Sequence, residues 1–115
     1  MLRKILIAAA LSVAPAAALA HHGWSSYDME RTITHTASLS DVNWGNPHGS
    51  ARVRYDNATW DVVLAPVRRM ESRGLTQAML GPRQHVTLVG YPRKDGTREM
   101  RIERIIVGDQ TVELR

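Results

Sequence analysis

Hydrophobic and polar residues alternate along most of the chain after residue 31, a pattern that predicts a protein built mainly of β-strands. In the first alternating stretch four residues share one face, namely Ile33, His35, Ala37 and Leu39. After Ser40 the apolar positions change parity and fall on Val42 and Trp44. A one-residue slip of this kind is typical of a β-bulge, which bends a strand sharply. The first strand is therefore predicted to bend near Ser40 and to serve both halves of a barrel.

The rest of the pattern predicts four further strands, one helix and a short C-terminal strand at 111–114. Pro66 suits a first helical turn and Gly74 a helix end, so the helix is expected from about Pro66 to Arg73. Inward strand positions, all predicted to be buried, are Val53, Val62, Leu64, Val86, Leu88 and Ile102. The order strand, strand, strand, helix, strand, strand is that of OB barrels. The predicted fold class is all-β with one short helix, a five-stranded OB-like barrel plus the C-terminal strand.

The first twenty residues have the composition of an export signal. A basic start at 1–4 precedes an apolar run at 5–19, and Ala18-Leu19-Ala20 is the small-x-small pattern that signal peptidase cleaves. The run is short for a membrane span, which needs roughly 20 strongly apolar residues, so no span is expected after cleavage. We predict a cleaved signal peptide at 1–20, an extended N-terminal arm at 21–31 and a single OB-like domain at 32–115. Such a protein is periplasmic or secreted.

Charge and motif content exclude several function classes. The chain has 15 Lys and Arg against 11 Asp and Glu, and without Arg3 and Lys4 the predicted mature chain carries 13 − 11 = +2. A balance this small does not favour nucleic-acid binding. The sequence has no cysteine, so an exported form depends on its core rather than on disulfides. It has no Gly-rich phosphate loop, nucleophile elbow or Cys/His zinc spacing, so an enzyme is not predicted.

Four motifs together resemble a known family. They are His21-His22-Gly23-Trp24, Trp44-x-Asn46-Pro47-His48-Gly49, Arg69-Met70-Glu71-x-Arg73-Gly74-Leu75-Thr76 and Gly90-Tyr91-Pro92-x-x-Asp95-Gly96-Thr97-x-x-Met100-Arg101. Over essentially the whole predicted mature chain, the sequence resembles the small exported bacterial proteins of the domain of unknown function 6152. The resemblance implies export and a single domain, and it implies no activity. In overall plan the chain is also similar to small periplasmic OB-barrel copper carriers, which hold Cu(I) with His, Met and Trp; that likeness transfers no residue.

The candidate metal ligands begin at the predicted mature N-terminus. Cleavage before His21 puts an α-amine and an imidazole on one residue, and with one further imidazole these nitrogens suit Cu(II). His22 offers an alternative set through the amine, an amide and its own ring. His48, in the loop after the first strand, is the candidate third imidazole, and a turn in which it only hydrogen-bonds the backbone is the alternative. Met100 is a candidate sulfur ligand for Cu(I), with core packing as its alternative.

OB barrels bind ligands through the loops that follow their first and fourth strands. The candidate binding-loop residues in these two loops are Trp44, Asn46, Pro47 and Asp95. A basic surface on the helix is predicted from Arg68, Arg69 and Arg73, which are expected to face solvent.

The leading hypothesis is an exported, periplasmic small binding protein with copper as the cofactor and either a metal ion or a periplasmic protein as the partner. The alternative is a non-enzymatic interaction module that presents its basic helix and loops to a protein or an anionic glycan. A copper-dependent oxidase is less favoured, because the 115 − 20 = 95 residues of the predicted mature chain leave little room for a substrate platform.

Overall fold

The computed structural model describes residues 23–115, which form one curled, half-barrel β-sheet with a short helix. The strands are β1 (Ile33–Ser38), β2 (Ser40–Asn43), β3 (Ser50–Tyr55), β4 (Ala58–Val63), β5 (His85–Pro92), β6 (Glu99–Val107) and β7 (Gln110–Glu113). The helix α1 spans Val67–Ser72, and two 3-10 helices span Trp24–Ser26 and Gln77–Leu80. The mainly β prediction with one short helix is confirmed. The predicted five strands plus a C-terminal strand are not, because the described residues contain seven.

The extra strand comes from the predicted bend. The order in the sheet is β1-β5-β6-β4-β3-β2, with β7 paired to β6. The two ends of this order, β1 and β2, are separated along the chain by Leu39 alone. The pairing of β2 with β3 shifts register between Ser40 and Asn43, and Asp41 has a positive φ of 49°. One bent stretch of chain therefore pairs with β5 through its first half and with β3 through its second.

The neighbouring strands run antiparallel except for β4 and β6, which are parallel. The six positions predicted to be buried are all buried, between 0 and 2% exposed. Met70 of α1 packs into the same core, together with Leu75 and Leu80 from the connection that follows it. The helix therefore packs against the sheet through Met70, because an apolar side chain on a helix is stable only when another element covers it.

The segment predicted as an extended arm is folded where the structure describes it. After the 3-10 helix at Trp24–Ser26, Tyr27 is buried and forms an isolated bridge with Arg93. The N–H of Asp28 donates to the carbonyl of Pro92 at 2.8 Å, and the N–H of Lys94 donates to the carbonyl of Ser26 at 3.0 Å. Backbone hydrogen bonds therefore hold this segment against the end of β5.

The predicted signal peptide at 1–20 and the histidines at 21 and 22 lie outside the described residues. Within the described range of 23–115, the helices are all too short or too polar to cross a membrane.

Candidate functional site

Two arginines and two tyrosines surround Trp24 on the surface of the sheet. We call this group the Trp24 cluster; it comprises Trp24, Tyr27, Tyr91, Arg101 and Arg115. The Cζ atoms of Arg101 and Arg115 lie 4.5 and 4.7 Å from the centroid of the Trp24 ring. The rings of Tyr27 and Tyr91 lie 6.4 and 6.3 Å from it. Each cation–π contact contributes about 0.5–2 kcal/mol, so together they hold the indole firmly.

Tyr27 is the most deeply buried aromatic residue of this cluster, with 2% of its surface exposed. Its hydroxyl donates a hydrogen bond of 2.5 Å to Glu99, which also accepts from Arg93 at 3.4 Å. Burial, and then the hydrogen bond and charge of Glu99, raise the pKa of Tyr27 to about 12. Burial also lowers the pKa of Arg101 below its ordinary value. Tyr27 therefore stays protonated at neutral pH and acts as a donor that holds the segment in place.

The Trp24 cluster shortens the reach of the predicted N-terminal arm. An arm of about twelve free residues, at roughly 3.3 Å each, would cross the domain easily. The chain is instead held against the sheet from Trp24 onward, through the contacts of its ring with Arg101 and Arg115. Only His21, His22 and Gly23 of the predicted mature chain precede Trp24.

His48 lies half-buried in a loop that packs against α1. The next residue, Gly49, donates its N–H to the carbonyl of Ala65 and accepts from the N–H of Leu64, both at 2.9 Å. A Cβ atom added at Gly49 would lie 2.9 Å from the Cε of Met70. The glycine therefore allows a close approach between loop and helix, and His48 is held beside that contact.

The predicted binding-loop residues fall into two separate loops. Trp44, Asn46 and Pro47 share the loop of His48; Asn46 and Pro47 are exposed and joined by a cis peptide bond. Trp44 is half-buried, and its indole N–H donates to the carboxylate of Glu71 at 3.3 Å. Trp44 is thus tied to α1.

Asp95 lies in the other loop, between β5 and β6. The backbone N–H of Thr97 donates to its carboxylate at 2.9 Å, and with further hydrogen bonds from the Thr97 and Arg93 side chains lowers the pKa of Asp95 to about 2. This loop meets β4 at Asp61, whose N–H donates to the carbonyl of Arg98 at 3.0 Å. The His48 loop instead contacts Leu64 and Ala65, just after β4, so the two loops contact different parts of the chain.

Met100 is completely buried in the core, where it faces the same interior as Ile102. This place agrees with core packing, the alternative role given for Met100, and a role as a metal ligand stays a prediction. Among residues 23–115 no three His, Cys, Asp or Glu side chains lie close enough together to hold an ion.

The predicted basic surface on α1 is only partly a solvent-facing surface. Arg68 is exposed, whereas Arg69 is half-buried and donates to the carbonyl of Leu114 at 2.9 Å. Arg73 is exposed as predicted, and its guanidinium also donates to the carbonyls of Glu113 and Arg115, at 2.7 and 3.1 Å. The guanidinium groups of Arg69 and Arg73 therefore connect the helix to residues 113–115. The positive charge of the helix is thus already partly engaged in hydrogen bonds within the protein.

The sequence interpretation missed the Trp24 cluster. Trp24 and Tyr27 lie in a stretch without any periodicity, and no spacing in the sequence connects them to Arg101 or Arg115. A usable signal was present, because Trp24 and Arg101 both fall within the motifs quoted above.

Comparison with known proteins adds one match. The model of a family of unknown function, DUF6152, matches residues 9–101 of the chain. None of the curated proteins matches it.

Proposed function

The chain belongs to the family of unknown function DUF6152, and we propose that it is a small exported binding protein that holds copper at its mature N-terminus. In this proposal cleavage after Ala20 frees the amine of His21. That amine and the His21 imidazole chelate one Cu(II) ion, and the ring of His22 or of His48 supplies a third nitrogen. Amine and imidazole nitrogens suit Cu(II), which binds most tightly among the divalent first-row metals.

One observation carries the proposal: the chain is held against the sheet from Trp24 onward, two positions after His22. Trp24 lies under two guanidinium groups, and Tyr27 is buried and hydrogen-bonded to Glu99. Ligands on a fixed backbone lose less conformational freedom when a metal binds, so a short terminus on a rigid base suits chelation better than a long mobile arm.

We also propose that the curled sheet is an OB-like barrel. Support comes from the bent β1–β2 stretch, which acts as one strand that pairs with both β5 and β3. Counted this way, the sheet has five main strands with α1 between the third and fourth, and the parallel pairing of β4 with β6 completes the circuit. In such barrels the bent first strand closes the sheet.

The copper proposal is tested with three forms of the protein: one that begins at His21, one extended by three alanines before His21, and a His48→Ala variant of the first. The extension keeps every histidine but moves the amine away from His21 and leaves neither histidine in the third position. We expect the form beginning at His21 to bind one Cu(II), and the extended form to bind at least about tenfold more weakly. Titration calorimetry measures the affinity, and electron paramagnetic resonance reports the nitrogen ligands.

The remaining outcomes identify the third ligand or contradict the proposal. Weaker binding in His48→Ala assigns the third nitrogen to His48, whereas unchanged binding assigns it to His22. Copper should be released as the imidazoles become protonated below about pH 6. Equal affinity and identical spectra in the first form and the extended form would show that no amine-dependent site exists.

A further inference from the structure

The bend between β1 and β2 leaves one edge of the sheet open. β1 pairs with β5, and the last pair of these two strands joins Ser38 to His85. Because β5 begins at His85, it does not extend along β2. Among residues 23–115, β2 pairs with β3 alone and ends the strand order of the sheet. The second edge of β2 is therefore available, since an unpaired edge is a template for pairing with another chain.

A groove of about 210 Å³ lies beside this edge. One wall consists of residues 39–42 of the bent strand, and the other of residues between 77 and 82, which lead from the second 3-10 helix toward β5. In the described chain no residue of β3 lines the groove, so it lies on the side of β2 that β3 does not occupy. Its floor is apolar, because Leu39 and Leu80 are both buried in the core.

The size and lining of the groove suit a side chain rather than a whole small-molecule ligand. Sites for small organic ligands usually have volumes of about 300–1,000 Å³. An aliphatic side chain that enters this smaller groove gains apolar contact with Leu39, Val42 and Leu80. The open edge of β2 then supplies main-chain hydrogen bonds to the residues on either side. Recognition by strand addition combines these two features, with affinity from the main chain and specificity from a pocket for alternate side chains.

Asp41 gives the groove its charge. It is the charged residue among the described residues of the lining, and 70% of its side chain is exposed. Arg52 lies 3.6 Å from the carboxylate of Asp41 and 3.4 Å from that of Asp61, so one guanidinium is shared between two carboxylates. The negative charge that is left favours a cation at the rim of the groove. The register shift at this point is a bulge, a feature that re-aims side chains beside binding sites.

We propose that the groove binds a short extended segment of a partner protein in which an aliphatic residue stands next to a lysine or an arginine. The segment adds to the open edge of β2, beyond the place where β5 pairs with β1. Neighbouring side chains of an extended chain point to opposite sides, so the aliphatic side chain enters the groove while the long basic side chain stays in solvent near Asp41. The inference is independent of the copper proposal.

The probes for the test are three capped hexapeptides of threonine whose two central residues are leucine and lysine, leucine and glutamate, or serine and lysine. Each is titrated into the isotope-labelled protein that begins at His21, and the backbone amide signals are followed by nuclear magnetic resonance. We expect the leucine–lysine peptide to shift the signals of residues 39–42 and 77–82. Serine in place of leucine should weaken binding at least about tenfold, because the apolar contact is lost. Glutamate in place of lysine should weaken it about threefold or more.

The charge of the groove is tested with Asp41→Asn, and Asp56→Asn is its matched control. Asp56 is also an exposed aspartate with a positive φ, of 52°, but it lies in the turn between β3 and β4 and does not line the groove. Asparagine tolerates a positive φ as aspartate does, so both variants keep the backbone. Asp41→Asn should remove the preference for lysine over glutamate, whereas Asp56→Asn should retain it.

The remaining outcomes would overturn the inference. They are shifts confined to other parts of the protein, no shifts at millimolar peptide, and equal affinity for the three peptides. A preference for lysine that survives in Asp41→Asn, or that is lost equally in Asp56→Asn, would do the same.

Discussion

Gly90 sets the distance between β5 and β6. A Cβ atom built there would lie 2.3 Å from the carbonyl oxygen of Arg101, closer than any side chain permits. The pairing of the two strands shifts register between Val89 and Gly90, and the buried positions of β6 change parity between Ile102 and Ile105. The glycine thus allows the close approach that accompanies this bulge.

Replacing Gly90 should consequently destabilise the fold. We expect Gly90→Ala to lower the free energy of unfolding by about 3 kcal/mol, because a backbone oxygen cannot move aside without breaking the pairing. For a domain of this size that corresponds to a melting temperature lower by roughly 10 °C or more. Gly81→Ala is the control, since its Cβ would meet nothing closer than 3.4 Å. Similar melting temperatures for the two variants would contradict this account.

Residue-scale prediction succeeded where periodicity carried the information. Strand parity placed Val62, Leu88 and Ile102 in the core, and they are buried. The same parity put Met100 on the face of Ile102, and core packing, one of the two roles considered for it, agrees with its complete burial. Burial follows from the pattern, whereas the chemistry of an isolated side chain does not reveal where that side chain points.

At the scale of elements, α1 and β7 depend on each other. Arg69 and Arg73 are four residues apart and so lie on one face of the helix, from which both donate to carbonyls at 113–115. The side chain of Gln110 adds a hydrogen bond to the carbonyl of Gly74 at 3.2 Å. The sequence spacing indicated a shared face, but it did not reveal that a C-terminal strand would cover that face, because pairing between distant segments has no local signal.

We therefore expect Arg69→Ala to cost more stability than Arg68→Ala. A hydrogen bond from a charged group contributes about 1.5–3 kcal/mol when partly buried, whereas an exposed residue without such a contact changes stability by about 0.5 kcal/mol or less. Urea denaturation of the two variants gives the comparison directly. If Arg68→Ala proves as destabilising as Arg69→Ala, the link between α1 and β7 does not contribute as described.

At the scale of the whole molecule, one bent strand joins the two halves of the sheet. The segment at 23–31 precedes this strand and is held against the sheet by its own contacts. The bend was predictable, because a parity slip near Ser40 leaves a mark in the pattern of apolar residues. The fastening of 23–31 was not, because its cation–π contacts and its bridge to Arg93 join residues with no regular spacing. The candidate site is therefore the part of the molecule least visible in the sequence, since it depends on contacts between the N-terminal segment and β6.

The fastening of this segment should weaken at high pH through Tyr27. Its pKa is raised from about 10 to about 12, so the stabilisation is complete below about pH 10 and is lost as the pH rises toward and through about 12. The difference in unfolding free energy between the parent and Tyr27→Phe should accordingly stay constant up to about pH 10 and then shrink. Glu99→Gln removes the hydrogen bond and charge but leaves burial, the largest cause, so the pKa of Tyr27 should fall only part of the way toward 10. Chemical denaturation across this pH range, with the absorbance of the ionised phenol followed in parallel, measures both effects. A difference between parent and Tyr27→Phe that does not change with pH would mean that the Tyr27 hydroxyl does not hold the N-terminal segment to the sheet.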